Sequence, residues 1–456
     1  MAPMSPTDLV ARYDGRAPRY TSYPTAPHFT GDVGPSVYAR WLAALPEAAA
    51  LSLYLHVPFC DRLCFYCGCN TGVVRLESSH RAYARRLIAE MERVASAIGR
   101  RARVRHIHWG GGTPTTLPAD ALVAVMGRLR ALFDVAPDAE VAIEIDPTSL
   151  ASDRLAALRE MGVTRISLGV QDLEPAVQQA IGRSQSYAQT QTCADLARAL
   201  GVHSLNLDLI YGLPLQTRES VERTARRALD LGADRVAVFG YAHVPWMKKH
   251  QAVIPEASLP GAVERFEQQQ AIHRVLTEEG GYVAIGLDHY AKRGDAMAQA
   301  AARGRLRRGF QGYTTDDAPV LVGFGASAIS QLPQGYVQNA PTAAGYGALI
   351  DAGGLASVRG IALTAEDRLR RDVIEQLMCA LQVDLVGTAA AYGADPAPLI
   401  ANAQGLARFA EDGLAQFDGR CVAVSEPGRP FLRSVAALFD AYLAESSETP
   451  RHARAI

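Results

Sequence analysis

The chain lacks the features that would place it in a membrane or on a nucleic acid. It has no run of about 18 apolar residues, which excludes a transmembrane helix. The opening MAPMSPTDLVARYDGRAPRY carries no apolar core of the kind a signal peptide needs. Lys and Arg total 46 against 47 Asp and Glu, a formal charge of −1, so no global basic field draws the chain to nucleic acid or acidic lipid. Cysteine is scarce, seven in 456 residues, and four of the seven sit together. Clustered thiols without an export signal argue for metal or redox chemistry in a reducing compartment rather than for disulfides. The expectation is a soluble, cytoplasmic protein with neither a nucleic-acid nor a membrane partner. Its length allows two or three compact units.

The clustered thiols are Cys60, Cys64, Cys67 and Cys69, within YLHVPFCDRLCFYCGCN at Tyr54–Asn70. The first three are spaced C-x3-C-x2-C, so one loop can aim three thiolates at a common centre. Soft thiolates select iron–sulfur clusters, zinc or copper(I). No second C-x2-C and no H-x3-H follows, whereas structural zinc usually takes two separated pairs. Three thiolates suit a cubane cluster whose fourth iron stays open to a substrate or cofactor. Structural zinc and unligated thiols remain the alternatives. The scattered Cys193, Cys379 and Cys421 read as buried free thiols.

From Leu51 onward, short apolar runs alternate with amphipathic stretches, the signature of βα units. Strands are expected at Leu53–Val57, Val104–Trp109, Val141–Ile145, Arg165–Val170, Ser204–Ile210 and Arg235–Gly240. Helices are expected over Arg81–Ile98, Ala119–Leu132, Ala188–Leu200, Arg218–Leu231 and Ala262–Glu279. No G-x-G-x-x-G follows the first strand, which counts against a dinucleotide-binding sheet. The pattern fits an α/β chain built on a partial (β/α)6, TIM-like barrel.

Active sites of such barrels gather at the C-terminal ends of the strands. There stand the cysteine loop, Gly110-Gly111-Gly112-Thr113, Glu144-Ile145-Asp146, Gly169-Val170-Gln171-Asp172, Asp208 to Gly212, and Tyr241-Ala242-His243. The triple glycine either lets a ligand approach the backbone or simply makes a tight turn. Glu144 and Asp208, at strand ends expected to be buried, need donors. A ribose diol or an ammonium group would serve, as would a salt bridge to Arg165 or Arg235. Gln171 offers a donor and an acceptor.

Outside the barrel the signals are sparser. Residues 1–46 show little periodicity, and PRYTSYPT at Pro18–Thr25 reads as an extended arm, or as a plain surface segment. The basic run Arg303–Arg308 reads as an exposed anion-binding surface or a solvated face. His56 and His289 read as packing or hydrogen-bonding residues. Beyond about residue 358 the βα pattern stops. Thr364–Leu381 carries an N-cap threonine with Asp367 three residues on, then helical spacing. The end of the chain reads helix, short hairpin, helix, a winged-helix-like layout without the basic excess DNA binding needs. The expected division is an arm (1–46), a barrel with its extension (47–357) and a mostly helical C-terminal domain (358–456).

The C-x3-C-x2-C loop after a short apolar strand resembles the radical S-adenosylmethionine enzymes. Pro58-Phe59 before it, Cys69-Asn70 after it and the PRYTSYPT arm narrow the likeness. With HWGGGTPT, IEIDP, LGVQD, LDLIYGLP, YAHVP, FQGYTT and GASAIS, the chain is similar over nearly its whole length to the oxygen-independent coproporphyrinogen III oxidases. The resemblance implies a 4Fe–4S cluster on Cys60, Cys64 and Cys67 and two S-adenosylmethionine molecules. Tyr54, Gly111 and Glu144 fall at the first of these. Tyr66, Gly112, Thr113, Gln171, Arg183, Asp208, Ala242 and Ile329 fall around the second. Cys69 falls near the reaction, with a catalytic role and off the cluster, since a fourth thiolate would close the open iron. Arg19, Tyr20, Tyr23 and Gln311 fall on the substrate side, Arg19 pairing with a propionate and a tyrosine stacking on a pyrrole.

The implied activity is conversion of two propionates of coproporphyrinogen III to vinyl groups, giving protoporphyrinogen IX. A 5′-deoxyadenosyl radical takes a β-hydrogen, and loss of carbon dioxide and one electron follows. A flavodoxin or ferredoxin system as electron donor and a monomeric state are implied as well. Two rival classes are a haem-binding chaperone sharing the barrel, against which Cys69 and the arm count, and a zinc-stabilised binding protein.

Overall fold

Between Leu51 and Tyr211 five apolar segments separated by amphipathic ones become strands, and the burial of both faces explains their near-continuous apolar runs. The structure is a computed structural model and describes residues 4–150 and 152–443. These residues gather into two compact units: Phe29–Asp208 with Asp316–Ala362, and the described residues up to His28 with Leu209–Thr315 and those from Leu363 onward.

In the first unit, strand β1 (Leu51–Val57) is buried at every position but Tyr54. It pairs in parallel with β2 (Arg103–Gly111), Leu53 opposite Ile107. Next come β3 (Asp134–Ile145), Val141 opposite Ile107, and β4 (Arg165–Gln171), Ile166 opposite Ile143, both again parallel. Ser204–Asp208 of β5 (Ser204–Tyr211) follows. On its other side β1 pairs in parallel with Val320–Phe324, from which Ile329–Leu332, Gly335–Asn339 and Ser357–Ala362 continue as an antiparallel meander.

Helices fill the crossovers. Glu77–Ile98 buries Tyr83, Leu87, Met91, Val94 and Ile98 along one stripe and ends at Gly99, whose φ of 75° only glycine adopts cheaply. On that stripe the carboxylate of Glu90 is buried among donors: Gly325 N–H and Tyr346 O–H at 2.8 Å each, and Asn339 Nδ2 at 2.6 Å. Burial lifts its pKa to about 7, against those hydrogen bonds.

In the second unit Arg235–Gly240 pairs antiparallel with His289–Ala291, which pairs with Val283–Ile285. Helices Arg218–Asp230 and Ala262–Arg274 belong here, and helix Ala365–Ala380 starts with the expected Thr364–Asp367 capping box. The C-terminal hairpin Ala415–Phe417/Cys421–Val424 gains a third strand, Gln382–Asp384, among short helices.

The α/β class, the parallel strands and the helical C-terminal part are as expected from the sequence. All six strands form, several longer than expected. Helix Ser152–Glu160 was not foreseen, and the helix expected to run to Glu279 gives way at Arg274 to a single wider turn, Val275–Glu279. The N-terminal arm is not a structureless surface segment. Ser5 caps helix Pro6–Tyr13, and Pro35 opens helix Pro35–Ala43. Val10, Tyr13, Tyr20 and Tyr23 pack into one core with Leu369, Val373, Leu377, Phe409, Phe431 and Phe439. Each such buried side chain contributes about 1.5–3 kcal/mol. Cys193 is buried as expected, whereas Cys379 and Cys421 are only half-buried. Among the described residues no helix is long and apolar enough to cross a membrane.

Candidate active site

β1 turns through Pro58 into the short strand Phe59–Cys60, which pairs in parallel with Gly72–Val73. Gly72 N–H donates to Pro58 O at 3.0 Å, so the cysteine loop is closed at its neck. The Phe59 ring packs 5.0 Å from Tyr83 and 4.9 Å from His80, anchoring that neck to the first long helix. Cys60 Sγ lies 3.1 Å from Thr71 Oγ1 and 3.7 Å from Thr113 Oγ1. Burial pushes the Cys60 thiol up, and these hydroxyls oppose the shift. Cys64 Sγ accepts from Arg183 Nη1 at 3.6 Å. Cys69 is exposed, and a hydrogen bond between its thiol and that of Cys67 raises it well above the ordinary thiol range.

Among the described residues, no three ligating side chains stand together as they would around a bare ion. A four-iron cluster binds each thiolate to a different iron and takes a wider spacing. The donor set of three thiols on one loop, with hydroxyl and guanidinium donors aimed at two of the sulfurs, fits such a cluster.

The glycine loop after β2 docks on the same neck. Gly112 N–H donates to Val57 O at 2.8 Å and Thr113 N–H to Phe59 O at 2.7 Å. A Cβ on Gly110 would meet Glu144 Oε1 at 2.7 Å, and one on Gly111 the His56 ring at 2.8 Å. On Gly112 it would meet Phe59 O at 2.5 Å and Thr71 Oγ1. Gly111 also takes a φ of 117°. The three glycines therefore serve close packing inside the protein, a reason beyond the ligand approach or tight turn expected from sequence.

Glu144 is partly exposed, its side chain 38 % accessible, with His108 Nε2 at 3.1 Å and Gly111 N–H donating at 3.2 Å. His108 Nδ1 in turn faces Arg165 Nη2 at 3.5 Å, and Arg165 Nε donates to Glu140 at 3.0 Å. The expected salt bridge of Glu144 or Asp208 to Arg165 or Arg235 is thus not the one formed. Arg165 holds Glu140, Arg235 holds Asp295, and Asp208 accepts from Ser167 Oγ and Asn206 Nδ2. Tyr54 reaches His56 Nδ1 at 3.0 Å and lies 5.8 Å from the His108 ring. His56 and His289 hydrogen-bond within the protein, as expected.

Arg183 is drawn onto the cysteine loop by backbone packing. Phe65 N–H donates to Ile181 O at 2.9 Å, and Gly182, at φ 67°, leaves room for the Phe65 ring. Buried Arg183 then spans Asp146 at 3.2 Å, Gly169 O at 2.7 Å and Cys64. Gln171 holds a left-handed φ of 66°, its amide over Gly169 beside Arg183. Tyr66 sits half-buried in the loop, its hydroxyl lifted by burial against the charge of Arg183. Ile329 opens the strand Ile329–Leu332.

The remaining expected residues belong to the second unit. Arg19 Nη2 donates to Gly240 O at 2.9 Å, and half-buried Ala242 follows the strand ending there. Gln311 is exposed at the tip of hairpin Arg307–Gly309/Gly312–Thr314. Tyr20 and Tyr23 are core residues whose hydroxyls bond Asp440 Oδ2 and Ala441 N–H at 3.0 Å each, so neither ring offers a free face for stacking. The basic run is not one exposed patch either. Arg308 turns inward, stacking 4.3 Å over Tyr313 and donating to Arg19 O at 2.9 Å.

Sequence reasoning missed His108 and Thr71, and it placed Asp146 on the rim without giving it a role. The alternation in RHIHW placed His108 beside Tyr54, and IEIDP held Asp146 two residues from Glu144; nothing marked Thr71.

The Radical SAM superfamily model matches residues 54–228, and the HemN C-terminal domain model residues 363–431. The chain is 50 % identical over 450 residues to the oxygen-independent coproporphyrinogen III oxidase of Bradyrhizobium diazoefficiens, covering 98 % of this chain and 99 % of that one. It is 44 % identical to the protein of the same name from Paracoccus denitrificans, covering 97 % and 98 %. Among solved structures, coproporphyrinogen III oxidase (HemN) from Escherichia coli, a radical SAM enzyme, matches with a TM-score of 0.88 and 39 % identity over 93 % of this chain and 97 % of that one.

Proposed function

Because the chain belongs to the oxygen-independent coproporphyrinogen III oxidase family, we propose that it converts two propionates of coproporphyrinogen III to vinyl groups without oxygen, giving protoporphyrinogen IX. The observation that carries this reading is the closed C-x3-C-x2-C loop held by the glycine loop on one side and Arg183 on the other. Cys60, Cys64 and Cys67 would hold a 4Fe–4S cluster. Tyr54, Gly111 and Glu144 would hold one S-adenosylmethionine, and Tyr66, Gly112, Thr113, Gln171, Arg183, Asp208, Ala242 and Ile329 a second. When bound, the cluster and S-adenosylmethionine would supply the radical chemistry that removes a propionate β-hydrogen, with carbon dioxide and one electron then lost from the substrate.

The protein's own groups orient and shield. His108 and Gly111 N–H fix Glu144, whose exposed edge can accept from an ammonium or a ribose diol. Arg183 brings a fixed positive charge to Cys64 Sγ through a charge-assisted hydrogen bond. Cys69 stands off the cluster beside Cys67, and Gln311 faces the substrate side. We include in the reading a flavodoxin- or ferredoxin-type electron donor, a monomeric state and a cytoplasmic location.

The test is anaerobic turnover of cluster-reconstituted protein with reductant, S-adenosylmethionine and coproporphyrinogen III, read by mass spectrometry. Doubly decarboxylated product that disappears in Cys64→Ala is expected. Deoxyadenosine without any decarboxylation would move the substrate elsewhere.

A further inference from the structure

A cavity of about 380 Å³ in the second unit, lined by Arg16, Arg19, Arg265 and Arg433, lies where the resemblance puts the substrate, through Arg19. The exit of the cysteine loop, in the first unit, is a surface of another kind. Gly72–Val73 leaves the loop as a short strand, and helix Glu77–Ile98 begins four residues later. Val73 is 43 % exposed there and Leu76 69 %, the largest exposure of any big apolar side chain among the described residues. Asn70 Nδ2 donates to Pro341 O, which sets the exposed Pro341 and Thr342 beside the loop exit.

Both residues before the helix run against local stability. Leu76 occupies the N-cap without a side-chain hydrogen bond, where serine, threonine, aspartate or asparagine would satisfy a free N–H. Arg75, exposed, precedes it and sets a positive charge against the positive end of the helix dipole. No hydrogen bond or ion pair holds its guanidinium among the described residues. Glu77, the carboxylate nearest to it in the chain, is taken by Arg81 at 2.7 Å. Exposed residues that break local rules without burying anything point to a functional surface. Val73 also pairs in register with Cys60 across the two parallel strands. Whatever rests on Val73 therefore stands one strand spacing, about 4.8 Å, from the backbone of a thiol assigned to the cluster. Electron tunnelling falls steeply with distance, so a carrier docked there delivers over a short path.

We propose that Val73, Arg75 and Leu76 form the docking face for a small acidic electron-carrier protein that reduces the cluster. The inference rests on the oxidase reading above, which includes an electron donor, and adds where the electron enters. The apolar rim of the carrier's redox centre covers Val73 and Leu76, and its carboxylates meet Arg75. One electron leaves the carrier, which is oxidised, and enters the cluster held by Cys60, Cys64 and Cys67, which is reduced; no bond forms or breaks. A small apolar face with one flanking charge suits a transient contact, of the kind electron-transfer partners make.

The experiment is calorimetric titration of the cluster-reconstituted full-length chain with a purified acidic flavodoxin, at low and at high salt. Leu76→Ser should fold, because serine is a better N-cap than leucine, and melting would check it. Leu76→Ser and Arg75→Glu are each expected to weaken flavodoxin about tenfold, and Arg75→Glu also to flatten the salt dependence. Met247→Ser, at a side chain 62 % exposed in the second unit, should change nothing. Bound iron and S-adenosylmethionine affinity should stay at wild-type values in all three variants. Turnover driven by titanium(III) citrate, which needs no docking face, should stay there too. Wild-type flavodoxin affinity in both loop-exit variants, no flavodoxin binding by the unaltered chain, or an equal loss in Met247→Ser overturns the docking face and leaves the oxidase reading intact. So does self-association in place of flavodoxin binding, abolished by Leu76→Ser in sedimentation, which would make the face a contact between two copies. No vinyl product from the unaltered chain with titanium(III) citrate overturns the oxidase reading, and with it the need for a carrier.

Discussion

The cysteine-loop rim and the arginine-lined cavity are built by opposite rules. On the rim, polar groups are matched acid to donor over short stretches: Gly111 N–H meets Glu144 across 33 residues, and Arg183 meets Asp146. In the cavity like charges converge, brought in over long separations, as when Arg433 reaches Pro18 across 415 residues. The rim leaves its thiols and the exposed edge of Glu144 open, which suits holding a cofactor of fixed shape. The cavity gathers Arg16, Arg19, Arg265 and Arg433 from distant stretches of the chain.

The contrast can be broken most decisively at the thiols. Cys64→Ala should abolish both 5′-deoxyadenosine and decarboxylated product, with a drop in bound iron measured on the reconstituted protein. Arg183→Gln should cost about 3–5 kcal/mol in denaturant unfolding, because it leaves Asp146 without its closest cation in a buried setting. A loss under 1 kcal/mol would mean that the rim does not depend on matched pairs.

Glu90, in the same unit, gives a pH test. Burial raises its carboxyl from 4.5 to about 7, so the folded chain keeps a proton there that the unfolded chain has released. Its contribution to stability is therefore full below pH 4.5 and declines as pH rises through 7, by at most about 1.4 kcal/mol per unit. The stability difference between Glu90→Gln and wild type should shift in favour of the variant from pH 5 to pH 8. A constant difference would show that the buried carboxyl does not titrate with folding.

Gly112→Ala sharpens the comparison at the rim. The new Cβ meets Phe59 O and Thr71 Oγ1, so a loss of about 1–3 kcal/mol is expected, together with weaker S-adenosylmethionine binding by calorimetry. The smallest effect belongs to Arg307→Glu. This residue is exposed, and the change should leave stability within about 0.5 kcal/mol and porphyrin affinity unaltered.

The difference between the regions also explains what the sequence revealed. Parallel βα units put consecutive motifs on one rim, so Cys60 to Cys69, Gly110 to Thr113 and Glu144 stand out at strand ends by spacing alone. Arg183 arrives because Gly182 lets its loop close on Phe65. Beyond Leu209–Gly212 and Tyr241–His243, the second unit follows no such pattern. The resemblance put Tyr20 and Tyr23 on the substrate side as stacking residues, but their rings fill the core formed with Leu377 and Phe431. Arg265, Gln269 and Arg433 lie on helical stretches that read as ordinary amphipathic surface. Only tertiary packing carries them to Arg19, and no local period records it.

The most direct measurement compares the two regions in one assay. Under anaerobic turnover, Cys64→Ala and Arg265→Gln proteins would be read side by side for 5′-deoxyadenosine and for vinyl product. Loss of both products in Cys64→Ala, with deoxyadenosine retained but decarboxylation impaired in Arg265→Gln, is the predicted result. Equal loss of both products in Arg265→Gln, from protein with a full cluster, would contradict a division of labour between the rim and the cavity.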